Sequence, residues 1–78
     1  MKLQELRKTA GLSQAKLAEL SGVNVRTIQE YEYGRQIVDS AKISIIVALA
    51  DALQVPMYKL LEDEVLADKI KQNAKREV

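Results

Sequence analysis

Glycine falls at positions 11, 22 and 34 of this 78-residue chain, at intervals of 11 and 12 residues. It is the usual residue just past a helix end, because it accepts positive φ at no steric cost. Regular spacing of this kind divides the first half of the chain into short helices separated by tight turns. Pro56 comes later and suits the first turn of a further helix. Three tyrosines, with no Phe and no Trp, leave little of the aromatic content that strands lean on. The chain reads as all-α, a compact set of five helices.

Apolar periodicity places them. Leu3, Leu6 and Ala10 share a face over about Lys2 to Ala10. A second helix runs from about Gln14 to Ser21, with Ser13 as its N-cap and Leu17, Ala18 and Leu20 inward. A third runs from about Val25 to Tyr33, capped by Asn24, with Ile28 and Tyr31 inward. The fourth is expected from Ser40 or Ala41 to Leu53, behind the capping candidates Asp39 and Ser40, burying Ile43, Ile46, Leu49, Ala50 and Leu53. A short fifth follows Pro56 and contributes Met57, Leu60 and Leu61. Residues 1–61 then make one domain and residues 62–78 a C-terminal tail, partly helical or disordered. In that tail Val65, Leu66 and Ile70 form a weak apolar stripe, Lys69, Lys71, Lys75 and Arg76 solvate it, and the last residues are expected to fray.

Composition removes several functions. There is no cysteine and no histidine, so no disulfide, no thiolate zinc site and none of the commonest general base. No carboxylates sit in a catalytic spacing and no Gly-rich phosphate loop is present. Neither enzyme activity, metal nor cofactor is expected. The charged start, Met1-Lys2-Leu3-Gln4-Glu5, does not read as a signal peptide. The longest strongly apolar stretch, Ile43 to Ala50, contains Ser44 and is far too short to span a bilayer. Net charge is +1. Residues 1–36 carry six cations against four carboxylates, and residues 61–78 four against five. That asymmetry permits nucleic-acid binding without demanding it.

The informative segment is Leu12 to Gly34, LSQAKLAELSGVNVRTIQEYEYG. Ser21-Gly22-Val23-Asn24 is the short Gly-containing turn that sets two helices at a steep angle. Ala18 is small where the helices approach, and Val23 and Ile28 are apolar where the unit packs on itself. The second helix of the pair turns Val25, Arg26, Gln29 and Glu30 outward, groups able to reach base edges.

With these residues the chain resembles the phage repressor/Cro-type helix-turn-helix family, often called the XRE family. The resemblance rests on Leu6-Arg7, Leu12-Ser13-Gln14-Ala15, Leu17-Ala18, Gly22-Val23, Thr27-Ile28 and Tyr31-Glu32-Tyr33-Gly34, then on Leu49 to Val55 and Met57 to Leu61. It covers about residues 2–61. Two departures stand out: Gln54, where the family usually has Gly, and Arg35 to Asp39, which lacks the common Asn-Pro and is slightly long.

The resemblance implies sequence-specific binding of double-stranded DNA by a transcriptional regulator, a repressor, in a prokaryotic or phage cytoplasm. It further implies a homodimer on a palindromic operator. Its base-contacting residues would be Asn24, Val25, Arg26, Gln29 and Glu30. Arginine suits guanine, Gln29 suits adenine or phosphate, Glu30 suits cytosine N4 or excludes wrong partners, and Val25 either meets a thymine methyl or joins the core. Phosphate contacts would come from Ser13, Gln14, Lys16, Thr27, Tyr33 and Arg35, with Tyr33 and Arg35 equally readable as a solvated loop. Arg7 and Glu32 would form a partly buried ion pair that orients the reading helix and touches no base. The competing functions are an antitoxin-like protein, which would use the C-terminal tail for a protein partner, and an interaction module on the same fold.

Overall fold

The computed structural model of the chain describes residues 2–74. It contains α1 (Lys2–Thr9), α2 (Gln14–Ser21), α3 (Val25–Glu32), α4 (Ile43–Leu53) and α5 (Glu64–Ala74). Single 3₁₀ turns at Val38–Ser40 and Met57–Leu60 precede α4 and α5. No strand occurs among the described residues. No helix among them is long and apolar enough to cross a membrane.

Helices α1 to α3 have eight residues each, below the length at which an isolated helix holds its shape in water. Tertiary burial and caps must therefore support them. Leu3 from α1, Leu17 from α2, Ile28 from α3 and Leu49 from α4 meet in one core, each almost without solvent exposure. Leu60, Leu61 and Val38 belong to the same core and are equally enclosed. Ser13 accepts the Lys16 N–H at 3.0 Å and starts α2 as expected.

Several inward assignments are corrected. Ala10 is exposed, because α1 ends at Thr9 and the chain is already turning; Arg7 occupies the buried side of α1 instead. Leu20 is 52% exposed. The stripe of α2 that meets the body runs through Gln14, Leu17, Ala18 and Ser21, and Leu20 lies to one side of it. Ile43 is 63% exposed at the free first turn of α4, where Val38 takes the core position.

Helix α4 starts at Ile43, with Lys42 before it making no side-chain cap. Asp39 and Ser40 do not cap it. They lie in the 3₁₀ turn, and Asp39 reaches across the fold: its carboxylate accepts the N–H groups of Glu62 and Asp63 at 2.8 and 2.9 Å. The element after Pro56 is one 3₁₀ turn rather than an α-helix; it buries Leu60 and delivers Leu61 to the core, while Met57 is half-buried. The tail holds a further α-helix. Asp63 opens α5 by accepting the N–H groups of Val65 and Leu66. Ala67 and Ile70 pack inward, while Val65 and Leu66 face out. The Lys71 ammonium sits 5.4 Å above the Tyr58 ring. The fraying expected of the last residues falls on residues 75–78, outside the described residues.

Candidate nucleic-acid interface

The geometry of α2 and α3 is set by three residues between them. Gly22 ends α2 at φ +75°, its N–H donating to the Ala18 carbonyl at 2.9 Å. The space beside it is open, so the left-handed backbone rather than crowding is what makes the sharp exit from α2 depend on glycine. Ser21 Oγ accepts the Val23 N–H at 3.1 Å, and Val23 turns inward, 8% exposed. Asn24 Oδ1 accepts the Arg26 N–H at 2.8 Å and starts α3. The first and last of these bonds satisfy backbone groups that a helix end leaves orphaned, and the Ser21 bond satisfies an N–H of the turn itself.

The start so fixed decides what α3 presents. Ile28, Tyr31 and Glu32 are buried. Val25, Arg26, Gln29, Glu30 and Tyr33 fall at i, i+1, i+4, i+5 and i+8, which is one continuous stripe on the opposite side. Val25 is 37% exposed, so it belongs to this surface and not to the core. Arg26 is exposed, and no acceptor holds its guanidinium among the described residues. Thr27 is half-buried at the flank.

The stripe's acidic member has a partner. Glu30 Oε2 accepts from Arg35 Nη1 at 3.1 Å, which joins a candidate base reader to a candidate phosphate clamp. Arg35 is brought back over α3 because its N–H, and that of Gln36, donate to the Glu30 carbonyl. Ser13 and Lys16 stand exposed at the start of α2, with Lys16 Nζ 3.1 Å from Glu19.

Beneath this surface lies a polar cluster. Arg7 Nε donates to Glu32 Oε2 at 2.7 Å, and Arg7 Nη2 to Glu32 Oε1 at 3.0 Å. Arg7 Nη1 donates to the Leu12 carbonyl at 2.8 Å. The Arg7 side chain is 10% exposed and that of Glu32 is 0% exposed. Burial pushes the Glu32 carboxyl up, but the hydrogen bonds of Arg7 and Gln14 and the charges of Arg7 and Lys8 outweigh it and hold it below its ordinary value. The bond to Glu32, working against desolvation, raises Arg7.

Gln14 extends the cluster: its Nε2 donates to Glu32 Oε1 at 3.0 Å and its Oε1 accepts from Gln29 Nε2 at 3.3 Å. Both ends of this amide are thus engaged inside the protein. Among the described residues no buried side-chain N or O atom lacks a partner.

The Gln14 links and the Asp39 clamp go beyond what the sequence alone indicates. Neither leaves a local signal: Gln14 meets side chains 18 and 15 residues away, and Asp39 meets backbone N–H groups 23 and 24 residues away.

A family model described as "Helix-turn-helix" matches residues 3–60, well over half of the chain. No curated protein and no solved structure matches it.

Proposed function

Because the chain belongs to the repressor/Cro-type helix-turn-helix family, a family of DNA-binding regulators, we propose that it represses transcription by laying α3 in the major groove of a specific site. The observation that carries this reading is the stripe Val25–Arg26–Gln29–Glu30–Tyr33, held outward by a capped turn, with the Arg26 guanidinium uncommitted among the described residues. Arg26 offers the bidentate donor pair that guanine O6 and N7 accept. Val25 offers a methyl contact to thymine, and Asn24 keeps its amide N–H groups for the groove edge. Ser13, the second N–H of Gln14, Lys16, Thr27, Tyr33 and Arg35 flank the stripe and supply phosphate contacts, which set register without reading sequence. Glu30, partnered by Arg35, excludes rather than attracts. One such helix reads only a few base pairs, so a homodimer on a palindrome is the functional form.

The test is selection from a random duplex pool, followed by a salt titration of the winner. Enrichment of a two-fold sequence, with affinity falling steeply as salt rises, supports the reading. Arg26→Ala is expected to cost about 1–3 kcal/mol at the preferred site and to relax one base position. Equal losses on every sequence make Arg26 a phosphate contact. Absence of any salt-dependent DNA binding overturns the proposal in favour of an interaction module.

A further inference from the structure

We infer that Gln14 is a positioning residue for Gln29, and that the buried Arg7–Glu32 pair fixes through it which way the Gln29 amide faces the groove. The inference deepens the proposed DNA reading and rests on it.

Hydrogen-bond polarity carries the argument. Arg7 holds Glu32 by two bonds, at 2.7 and 3.0 Å, and the carboxylate side chain is fully buried. An ionised carboxylate accepts and never donates. The amide that meets Glu32 Oε1 must therefore turn its nitrogen to it, which Gln14 Nε2 does at 3.0 Å. That choice leaves Gln14 Oε1 facing the other way, as an acceptor. The next amide must then also present nitrogen, as Gln29 Nε2 does at 3.3 Å. Each amide alone has two nearly isosteric orientations; in series behind a carboxylate each has one.

The consequence falls on the outward stripe. With one N–H committed to Gln14, Gln29 retains its Oε1 and a second N–H. That is the acceptor and donor pair required by adenine N6 and N7. An amide turned the other way would offer a different order of donor and acceptor and would suit a different base edge. The Arg7–Glu32 pair touches no base under this scheme, yet it contributes to base choice by fixing polarity, two residues removed. The glutamines also span the two helices of the motif, Gln14 on α2 and Gln29 on α3. The same chain of bonds therefore keeps the reading side chain in register with the helix that meets the phosphates.

The test uses Gln14→Met, which keeps length and packing but has no amide, alongside Gln29→Ala and the double variant. Base preference is read by selection from a random duplex pool, and the free protein by side-chain amide NMR. Gln14→Met is expected to relax preference about three- to tenfold at the one base position that Gln29→Ala also relaxes. In the Gln29→Ala background it should change preference no further. In the free protein the Gln29 side-chain amide signals should move on Gln14→Met, and the thermal midpoint should fall only moderately, because Glu32 loses one hydrogen bond but keeps both from Arg7.

Wild-type enrichment with Gln14→Met leaving the Gln29-dependent position untouched overturns the positioning role and leaves DNA reading intact. So do unmoved Gln29 amide signals. A wild type that enriches no sequence overturns DNA reading itself, whatever the NMR signals do. Uniform weakening on all sequences makes Gln14 a phosphate contact only, and the positioning role falls.

Discussion

The reading unit, α1 to α3, and the support behind it, Val38 to Ala74, are held by different interactions. The reading unit consists of three eight-residue helices joined by glycine-ended turns, with a buried Arg–Glu pair and two glutamines bonded in series. Its shape depends on directional bonds. The support is built around α4, whose Ile46, Leu49, Ala50 and Leu53 are all buried. Its polar bonds run mostly to backbone: Asp39 clamps the N–H groups before α5, and Asp63 caps that helix. Apolar burial is non-directional and tolerates small shifts. Hydrogen-bonded ions do not, because a stranded charge is costly. The part of the molecule that must present atoms at fixed positions uses the less forgiving interaction.

The largest expected effect tests that contrast directly. Glu32→Ala strands Arg7 in a site where the glutamate side chain was wholly enclosed, and should cost about 3–5 kcal/mol. That is most of the stability of a domain this small. Arg7→Ala, Glu32→Ala and the double variant should be non-additive in a denaturant melt. Strictly additive losses would show that the two side chains do not interact energetically, and the contrast would fail. Combining Arg7→Leu with Glu32→Met should recover much of the loss, since desolvation offsets much of the attraction.

A pH series sharpens the same point. The folded-state value of Glu32 is lowered, so the unfolded chain takes up the proton first as pH falls. The stability it contributes is complete above its ordinary value of about 4.3 and is lost as pH drops through the folded value. Wild type should therefore lose stability below about pH 4.3 more steeply than the variant combining Arg7→Leu and Glu32→Met, which lacks this carboxylate.

The next effect lies in the support. Asp39→Ala removes two charge-assisted bonds to backbone N–H groups, one at the partly exposed Glu62 and one at the exposed Asp63. The expected loss is about 1–2 kcal/mol. Amide exchange should rise at Glu62, Asp63 and the start of α5, with the amides of α2 and α3 unchanged. Faster exchange across α2 and α3 as well would mean that the two regions do not separate.

What the sequence made legible follows the same division. The reading unit has strong local punctuation: the capping atoms of Ser13 and Asn24 lie two or three residues from the N–H groups they accept. Gly22 sits where a short turn demands it. Local bonds leave local signatures. Asp39 pairs across 23 and 24 positions, and nothing beside it distinguishes that role from capping α4. Ile43 and Leu20 carry the right chemistry for the core and miss it by position, because periodicity specifies a stripe but not which edge a neighbour covers. The outward stripe of α3 followed from Ile28 and Tyr31 being inward. The engagement of Gln14 at both ends did not, because it depends on where α3 brings Gln29 and Glu32.

The smallest effect concerns the one place where the support breaks a local rule. Gln54 ends α4 at φ +58°, the only positive φ on a non-glycine residue among those described. Its backbone makes the same pair of bonds that a glycine-ended helix makes, Gln54 N–H to the Asp51 carbonyl and Val55 N–H to the Ala50 carbonyl. The cap is therefore complete and only the residue type is unfavourable, at about 1 kcal/mol for an L side chain in this region. The glutamine side chain is exposed, so its removal forfeits little packing. Glycine relieves the strain but makes the unfolded chain more flexible, which returns part of the gain. Gln54→Gly should thus stabilise by about 0.5 kcal/mol, raising the thermal midpoint by roughly 2–4 °C for a chain of this size. Gln54→Ala, equally strained and without the long side chain, serves as the control and should stay within about 0.5 kcal/mol of wild type. Because α4 carries none of the stripe on α3, the selected DNA sequence should be identical for all three proteins. A lower midpoint for the glycine variant would mean that the left-handed cap holds no strain, and an altered DNA preference would mean that the support shapes the reading unit after all.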